Sequence, residues 1–210
     1  FMSALVPMIK NREFEKVRNQ FIHVLGISKI SDFFMLSFLQ KMVNKYHGGR
    51  IQVSTDSSSP GLYPVYGTYL HSPQLSKMTF TDLYFPKGEN LPYNASDLVP
   101  NPLGHPVSEG FTFGDVSNYK GDVTMKMTLN NLFVFNDTVK QVEEIVKCHN
   151  ELLQTVVPRD FYSVLMSMEE MFKDPDKAIH IYNKNRQLYD RFGGSTRDLV
   201  NNEVFNQFFE

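Results

Sequence analysis

Six basic side chains in the first fifty residues are the groups best suited to bind a charged partner. Residues 1–50 carry eight Lys or Arg against three acids, a local balance of +5, so the remainder carries −7 within a net charge of −2. Such an uneven charge attracts RNA phosphate, anionic membrane lipids or an acidic protein face. A solvated polar helix face is the alternative interpretation. The candidate binding residues are Lys10, Arg12, Lys16, Arg18, Lys41 and Lys45.

The histidines and the cysteine predict no metal site and no cofactor. The six histidines are scattered singly, and the nearest pair of metal-binding types is Cys148 with His149. Adjacent residues on a helix point about 100° apart and cannot readily share one ion. We interpret Cys148, the only thiol, as a small, half-buried helix residue.

Two common catalytic motifs are missing from the sequence. Gly48-Gly49 and Gly193-Gly194 follow predicted helices, whereas a phosphate-binding loop opens a helix after a strand. No G-x-S-x-G pentad places a serine nucleophile on a tight turn. An enzyme with an unrecognised site therefore stays open as an alternative.

The single cysteine indicates a reducing, intracellular compartment, because secreted domains often use several disulfides. No apolar run approaches the ~18 residues that a membrane span needs. Two glycosylation sequons, Asn94-Ala95-Ser96 and Asn136-Asp137-Thr138, would point to secretion instead. Chance explains such triplets in a chain rich in Asn, and Asn136 also fits a helix cap.

The positions of these residues depend first on a predicted N-terminal helical pair. Phe14 and Phe21 belong to an apolar series with three- and four-residue steps, which predicts a helix from Asn11 to Leu25. Ser31 is the predicted cap of a second helix, which Gly48-Gly49 ends.

The middle of the chain predicts four or five strands of mainly antiparallel type, because the connections lack the helices of parallel crossovers. A long loop with five prolines separates two groups of strands at residues 86–110, and loops of that length are often functional. The predicted strands of this region are Ile51–Val53, Leu62–Leu70, Met78–Phe85, Phe111–Phe113 and Val123–Leu129, and a further predicted strand, Leu132–Phe135, precedes the C-terminal helices.

Helical periodicity returns after Phe135. Predicted helices begin at Asn136 or Asp137, at Pro158, at Asp174-Pro175 and at Ser195 or Thr196. The fold class is therefore α+β, with an N-terminal helical pair, a central mainly antiparallel β-sheet and a C-terminal helical bundle. We predict an α+β core over residues 1–135 and a C-terminal helical subdomain packed on it over residues 136–210.

One segment resembles a known family. Phe113-Gly114 followed by Tyr119–Thr128, after a proline-rich loop, is faintly similar to a strand region of rhabdovirus matrix proteins. The similarity carries over no functional residues.

These observations favour a non-enzymatic assembly or interaction protein that oligomerises, such as a viral structural protein of matrix or capsid type. Opposite charges at the two ends of the chain predict self-association. The alternatives are a nucleic-acid-binding module that uses the basic N-terminal helices, and the unrecognised enzyme. RNA, an anionic membrane or an acidic protein is the predicted partner.

Overall fold

The computed structural model describes residues 1–16, 20–85, 93–117, 121–148 and 150–193. The predicted residue Arg18 and the predicted last helix from Ser195 or Thr196 lie outside these ranges. In chain order the elements are α1 Met2–Lys10, α2 Glu13–Lys16, β1 Gln20–Val24, α3 Ile30–His47, β2 Ile51–Thr55, α4 Ser59–Leu62, β3 Thr68–Gln74, β4 Thr79–Tyr84, α5 Phe113–Ser117, α6 Gly121–Lys147, α7 Asn150–Val156, α8 Arg159–Lys173, α9 Ala178–Lys184 and α10 Arg186–Gly193.

The first sheet is a parallel pair of strands joined by a helix. β1 pairs with β2 from Gln20↔Ile51 to Val24↔Thr55, and α3 is the crossover between them. Gly48 ends α3 in the left-handed conformation, with φ +69, as glycine readily does. This parallel pair is an exception to the predicted, mainly antiparallel pairing. It was not predicted because β1 lies within the predicted helix from Asn11 to Leu25.

The predicted helix from Asn11 to Leu25 is wrong. Among the described residues of that range, 11–16 and 20–25, only α2 is helical, and β1 begins at Gln20. In β1 the half-buried side chains of Ile22 and Val24 alternate with the exposed side chains of Phe21 and His23. The side chains of β1 thus alternate with a period of two, but they are also part of an apolar series that fits a helix. Ser31 is likewise not a cap, since it lies inside α3 and its hydroxyl donates to the Phe192 carbonyl.

The second sheet is an antiparallel hairpin. β3 and β4 pair from Thr68↔Tyr84 to Gln74↔Thr79 with an irregularity between Leu70 and Ser72. The prediction for Met78–Phe85 is confirmed. The predicted strand Leu62–Leu70 is right only from Thr68, because α4 and a short 3₁₀ helix at Tyr63–Tyr66 precede it.

The largest correction concerns α6, which replaces the predicted strands Val123–Leu129 and Leu132–Phe135 and the predicted helix start at Asn136 or Asp137. Val123, Met127 and Val134 are buried at four- and seven-residue steps on one face of this helix of 27 residues. Over a short stretch of sequence, the apolar residues of α6 fit both the two-residue period of a strand and the 3.6-residue period of a helix. The resemblance to a matrix-protein strand fails for the same reason.

The described part of the proline-rich loop, residues 93–110, has little regular structure. It contains a 3₁₀ helix at Pro106–Ser108. The predicted strand at Phe111–Phe113 is wrong, since Thr112 makes only an isolated bridge with Leu98 before α5 begins.

The main apolar core joins helices from the N-terminal and C-terminal halves of the chain. Phe34 of α3 meets Phe161 of α8 edge to face, with ring centroids 6.1 Å apart. Phe135 of α6 meets Phe33 at 5.2 Å and stacks on Phe80 of β4 at 5.3 Å. The subdivision at residue 136 stays a prediction, and α6 runs through that position without interruption.

The α+β class is confirmed, with sheets smaller than predicted. The predicted helix start at Pro158 is confirmed, since Pro158 directly precedes α8. At the predicted start Asp174-Pro175 a 3₁₀ turn comes first, and α9 begins at Ala178. Within the described ranges, no helix has both the length and the apolar character to cross a membrane.

Candidate functional site

The predicted basic residues of the first two helices pair with acids of the same chain. Lys10 Nζ lies 3.5 Å from Asp176 Oδ1, and Arg12 Nη2 lies 3.4 Å from Asp176 Oδ2. Lys16 donates to Glu13 at 2.7 Å. These side chains are about half exposed, so each pair adds only about 0–1 kcal/mol to stability.

Lys41 caps the C-terminal end of α6. Its Nζ donates to the carbonyls of Val146 at 2.7 Å and Cys148 at 3.0 Å, and to Asn150 Oδ1 at 3.3 Å. A cation is favoured there, because the last carbonyls of a helix lack backbone partners and carry its negative pole. Burial lowers the pKa of Lys41 despite the nearby charge of Glu169.

Lys45 lies in a three-residue ion network centred on Glu169. Lys45 Nζ and Lys173 Nζ lie 2.7 and 3.4 Å from Glu169 Oε1, and the Glu169 side chain is nearly buried. Burial acts to raise the pKa of Glu169, but the hydrogen bonds and charges of Lys45 and Lys173 outweigh it and hold that pKa below its ordinary value. The hydrogen bond with Glu169 raises the pKa of Lys45.

The five described cations therefore do not converge on one binding surface. Lys10, Arg12 and Lys45 contact acids of the C-terminal helices, and Lys41 contacts the end of α6. Part of the N-terminal positive charge is therefore used in contacts with Glu169 and Asp176.

Glu169→Gln should lower the free energy of unfolding by about 1–2 kcal/mol at neutral pH, because hydrogen bonds to charged groups are lost. A carboxyl whose folded pKa is lowered stabilises the protein above its unfolded pKa, and this stability is lost as pH falls through the folded value. Urea unfolding at several acidic pH values should show a shallower pH dependence in the variant. Glu170→Gln, at the exposed neighbouring position, is the control. Equal slopes in wild type and Glu169→Gln would contradict the assignment.

The exposed face of α6 carries an apolar stripe that the sequence did not predict as a surface. Met125, Leu129, Leu132 and Phe133 are exposed by 39–66% and follow one another at i, i+4, i+7 and i+8. This spacing places them on one side of the helix. The same residues belong to the predicted strands Val123–Leu129 and Leu132–Phe135, so the sequence did not indicate this surface.

Exposed charged residues continue the apolar stripe at both ends. Asp122 precedes Met125 by one turn, and Lys140 follows Phe133 by about two turns. At the side of the stripe the His105 ring lies 5.6 Å from the Phe133 ring. The stripe is thus a defined apolar surface with an acid at one end and a base at the other.

A groove of about 570 Å³ runs between α3, β2 and α6. Its apolar lining includes Leu36, Val139 and Val146, and its rim carries Lys147 and Glu143. A volume of this size is in the range of ligand pockets. The groove is distinct from the apolar stripe, because it uses the C-terminal half of α6.

Side-chain amides from helices pair with the open edges of both sheets. Gln40 of α3 donates to the Ile51 carbonyl at 2.9 Å and accepts from the Val53 N–H at 2.7 Å. Asn131 of α6 makes the same pair of bonds with β3, to the Thr68 carbonyl at 3.0 Å and from the Leu70 N–H at 2.8 Å. Each amide stands in for one peptide group of a neighbouring strand.

Metal and thiol chemistry gain no support from the arrangement of side chains. Within the described ranges, no three His, Cys, Asp or Glu residues cluster to hold a metal ion. Cys148 is exposed rather than half-buried as predicted, because it follows the end of α6 instead of lying inside a helix.

Comparisons with known proteins add no functional information. No protein-family model matches this chain, and neither the curated proteins nor the solved structures gave a significant match. The surfaces of the molecule therefore carry the functional argument.

Proposed function

We propose that this chain is an assembly protein that associates with a second copy of itself through the apolar stripe on α6. The observation that carries the proposal is the regular spacing of Met125, Leu129, Leu132 and Phe133 on one exposed helix face. Apolar patches of this kind mark interaction surfaces, and burying one Leu side chain yields about 1.5–3 kcal/mol.

A second copy fits this stripe because the flanking charges are self-complementary. In an antiparallel two-fold arrangement, the residue numbers at opposed positions have a constant sum. When Leu129 opposes Phe133 of the second copy, Asp122 opposes Lys140 of that copy. A two-fold axis makes each such contact twice, so both ends of the helix pair would gain an acid–base contact.

The intrachain pairing of the basic residues favours this apolar surface over the head-to-tail charge contact predicted from the sequence. Binding of RNA, an anionic membrane or an acidic protein by Lys10, Arg12 and Lys16 is the alternative proposal. It would require those side chains to exchange their present partners Asp176 and Glu13 for the ligand. An intracellular location belongs to the leading proposal, since the only cysteine is exposed and closes no disulfide.

Leu129→Glu should weaken self-association by at least about tenfold, because a charge would be buried at the centre of the contact. Sedimentation equilibrium at tens of micromolar protein measures this change as a shift toward the monomer. Leu152→Glu is a matched control, because Leu152 is exposed by 44% against 40% for Leu129 and lies on α7.

Charge reversal tests the antiparallel register directly. Asp122→Lys and Lys140→Glu should each weaken the dimer, and the double variant should restore it. A wild-type protein that stays monomeric at these concentrations would refute the proposal, as would equal effects of Leu129→Glu and Leu152→Glu.

A further inference from the structure

The β1–β2 pair is an incomplete sheet. Ile22, Val24 and Val53 pack against the main core, but the opposite face exposes Phe21 by 73%. Parallel strands are normally found in sheets of several strands with both faces covered. The outer edge of β2 is therefore a surface that an additional strand can extend.

The hydrogen-bond pattern shows which backbone groups of β2 point outward. The Asp56 N–H donates to the Val24 carbonyl, so the even-numbered residues of β2 face β1. Ile51, Val53 and Thr55 consequently direct their backbone groups away from β1. The amide of Gln40 pairs with the first of these outward groups, the Ile51 carbonyl and the Val53 N–H. The next outward groups along the strand are the Val53 carbonyl and the Thr55 N–H.

These two backbone groups lie beside the groove between α3, β2 and α6. Val53 and Thr55 line that groove, and Leu36 and Val139 give it an apolar wall. A strand added here could therefore form backbone bonds on one side and bury an apolar side chain on the other.

The rim of the groove has a positive charge balance. Lys41 and Lys147 line it with a single acid, Glu143. Lys147 Nζ lies 3.4 Å from Glu143 Oε2, and its side chain is 75% exposed. The ammonium group of Lys147 is therefore mostly in solvent, where it can exchange Glu143 for the carboxylate of a ligand.

We propose that the groove binds an extended, acidic peptide segment of a partner protein. The peptide lies along the outer edge of β2, beyond the backbone groups that pair with Gln40. It pairs with the Val53 carbonyl and the Thr55 N–H. A β-branched side chain of the peptide packs near Leu36 and Val139, and a carboxylate meets Lys147. This mode of recognition is β-strand addition, and it is independent of the apolar stripe on α6.

The probe is the peptide acetyl-Glu-Val-Thr-Val-Glu-amide, added to ¹⁵N-labelled full-length protein and followed by NMR. We expect the Thr55 amide signal to move downfield and its exchange with solvent to slow. The Val53 amide, which already donates to Gln40, should change much less. An analogue with a methylated central amide nitrogen should bind about tenfold more weakly, because it lacks one backbone donor.

Two variants separate the charge and shape requirements. Lys147→Glu should reduce the affinity for the acidic probe about threefold and favour the probe with both Glu replaced by Lys. Ser37→Trp fills the groove from α3 and should abolish binding, whereas Ser163→Trp on the exposed side of α8 should not.

Several outcomes would overturn the proposal. They are the absence of binding by the acidic probe at millimolar concentration, an unchanged Thr55 amide in the bound state, and equal binding of the methylated analogue. A preference for the acidic probe that survives Lys147→Glu would contradict the charge assignment. Because Lys147 is exposed, that variant stays informative even if Ser37→Trp fails to fold.

Discussion

Asn131→Ala should lower the free energy of unfolding by about 2–4 kcal/mol, because two buried backbone groups lose their partners. The Asn131 side chain is fully buried, and its amide pairs with the Leu70 N–H and the Thr68 carbonyl. Asn130 donates to the Leu70 carbonyl at 2.7 Å, which places two amides of one helix on one strand. Alanine at position 131 can supply neither bond.

Urea unfolding measures this loss, and hydrogen exchange at the Leu70 amide locates it. The Leu70 amide should exchange faster in Asn131→Ala than in the wild type. Asn136→Ala changes an exposed asparagine of the same helix and should stay within about 0.5 kcal/mol of the wild type. Equal stability of the two variants would show that the buried amide contributes nothing to the hairpin.

Phe161→Ala should cost about 3–5 kcal/mol, the usual range for removing a fully buried aromatic ring. Phe161 is completely buried and meets both Phe34 of α3 and Phe192 of α10, at centroid distances of 6.1 and 4.9 Å. Removing its ring leaves a cavity that the packed helices can only partly close.

Chemical denaturation again provides the measurement, with Phe21→Ala as the same substitution at an exposed position. Phe21→Ala should change stability by less than about 1 kcal/mol, because the side chain is mostly in solvent. A loss below about 1.5 kcal/mol in Phe161→Ala would mean that the core relaxes around the missing ring.

The sequence predicted elements well where one period dominated. Phe34, Phe38 and Met42 repeat every four residues, and the helix that they predicted is α3. Val123, Met125, Met127 and Leu129 alternate over seven residues as in a strand, but Val123 and Met127 also fit one face of a helix. Only the longer series through Val134 and Val142, both buried, distinguishes the two.

The predicted binding residues were correctly recognised as charged groups, but their surroundings could not be predicted. The contact of Arg12 with Asp176 spans 164 positions, and that of Lys45 with Glu169 spans 124. No local pattern encodes distances of that kind. The groove could not be predicted for a related reason. It depends on the position of the Gln40 amide relative to the outer edge of β2, and that edge exists only in the folded chain.

The contact between α3 and α8 also sets the order in which the chain can mature during synthesis. Phe34 is made early in synthesis, and its partner Phe161 follows 127 residues later in the chain. At about 5–20 residues per second, the ribosome needs roughly 6–25 s to reach Phe161. During this interval the part of α3 that packs on α8 lacks its native cover, although β2 and α6 are already made. Transiently exposed apolar surface of this kind makes a partly synthesised chain prone to aggregation.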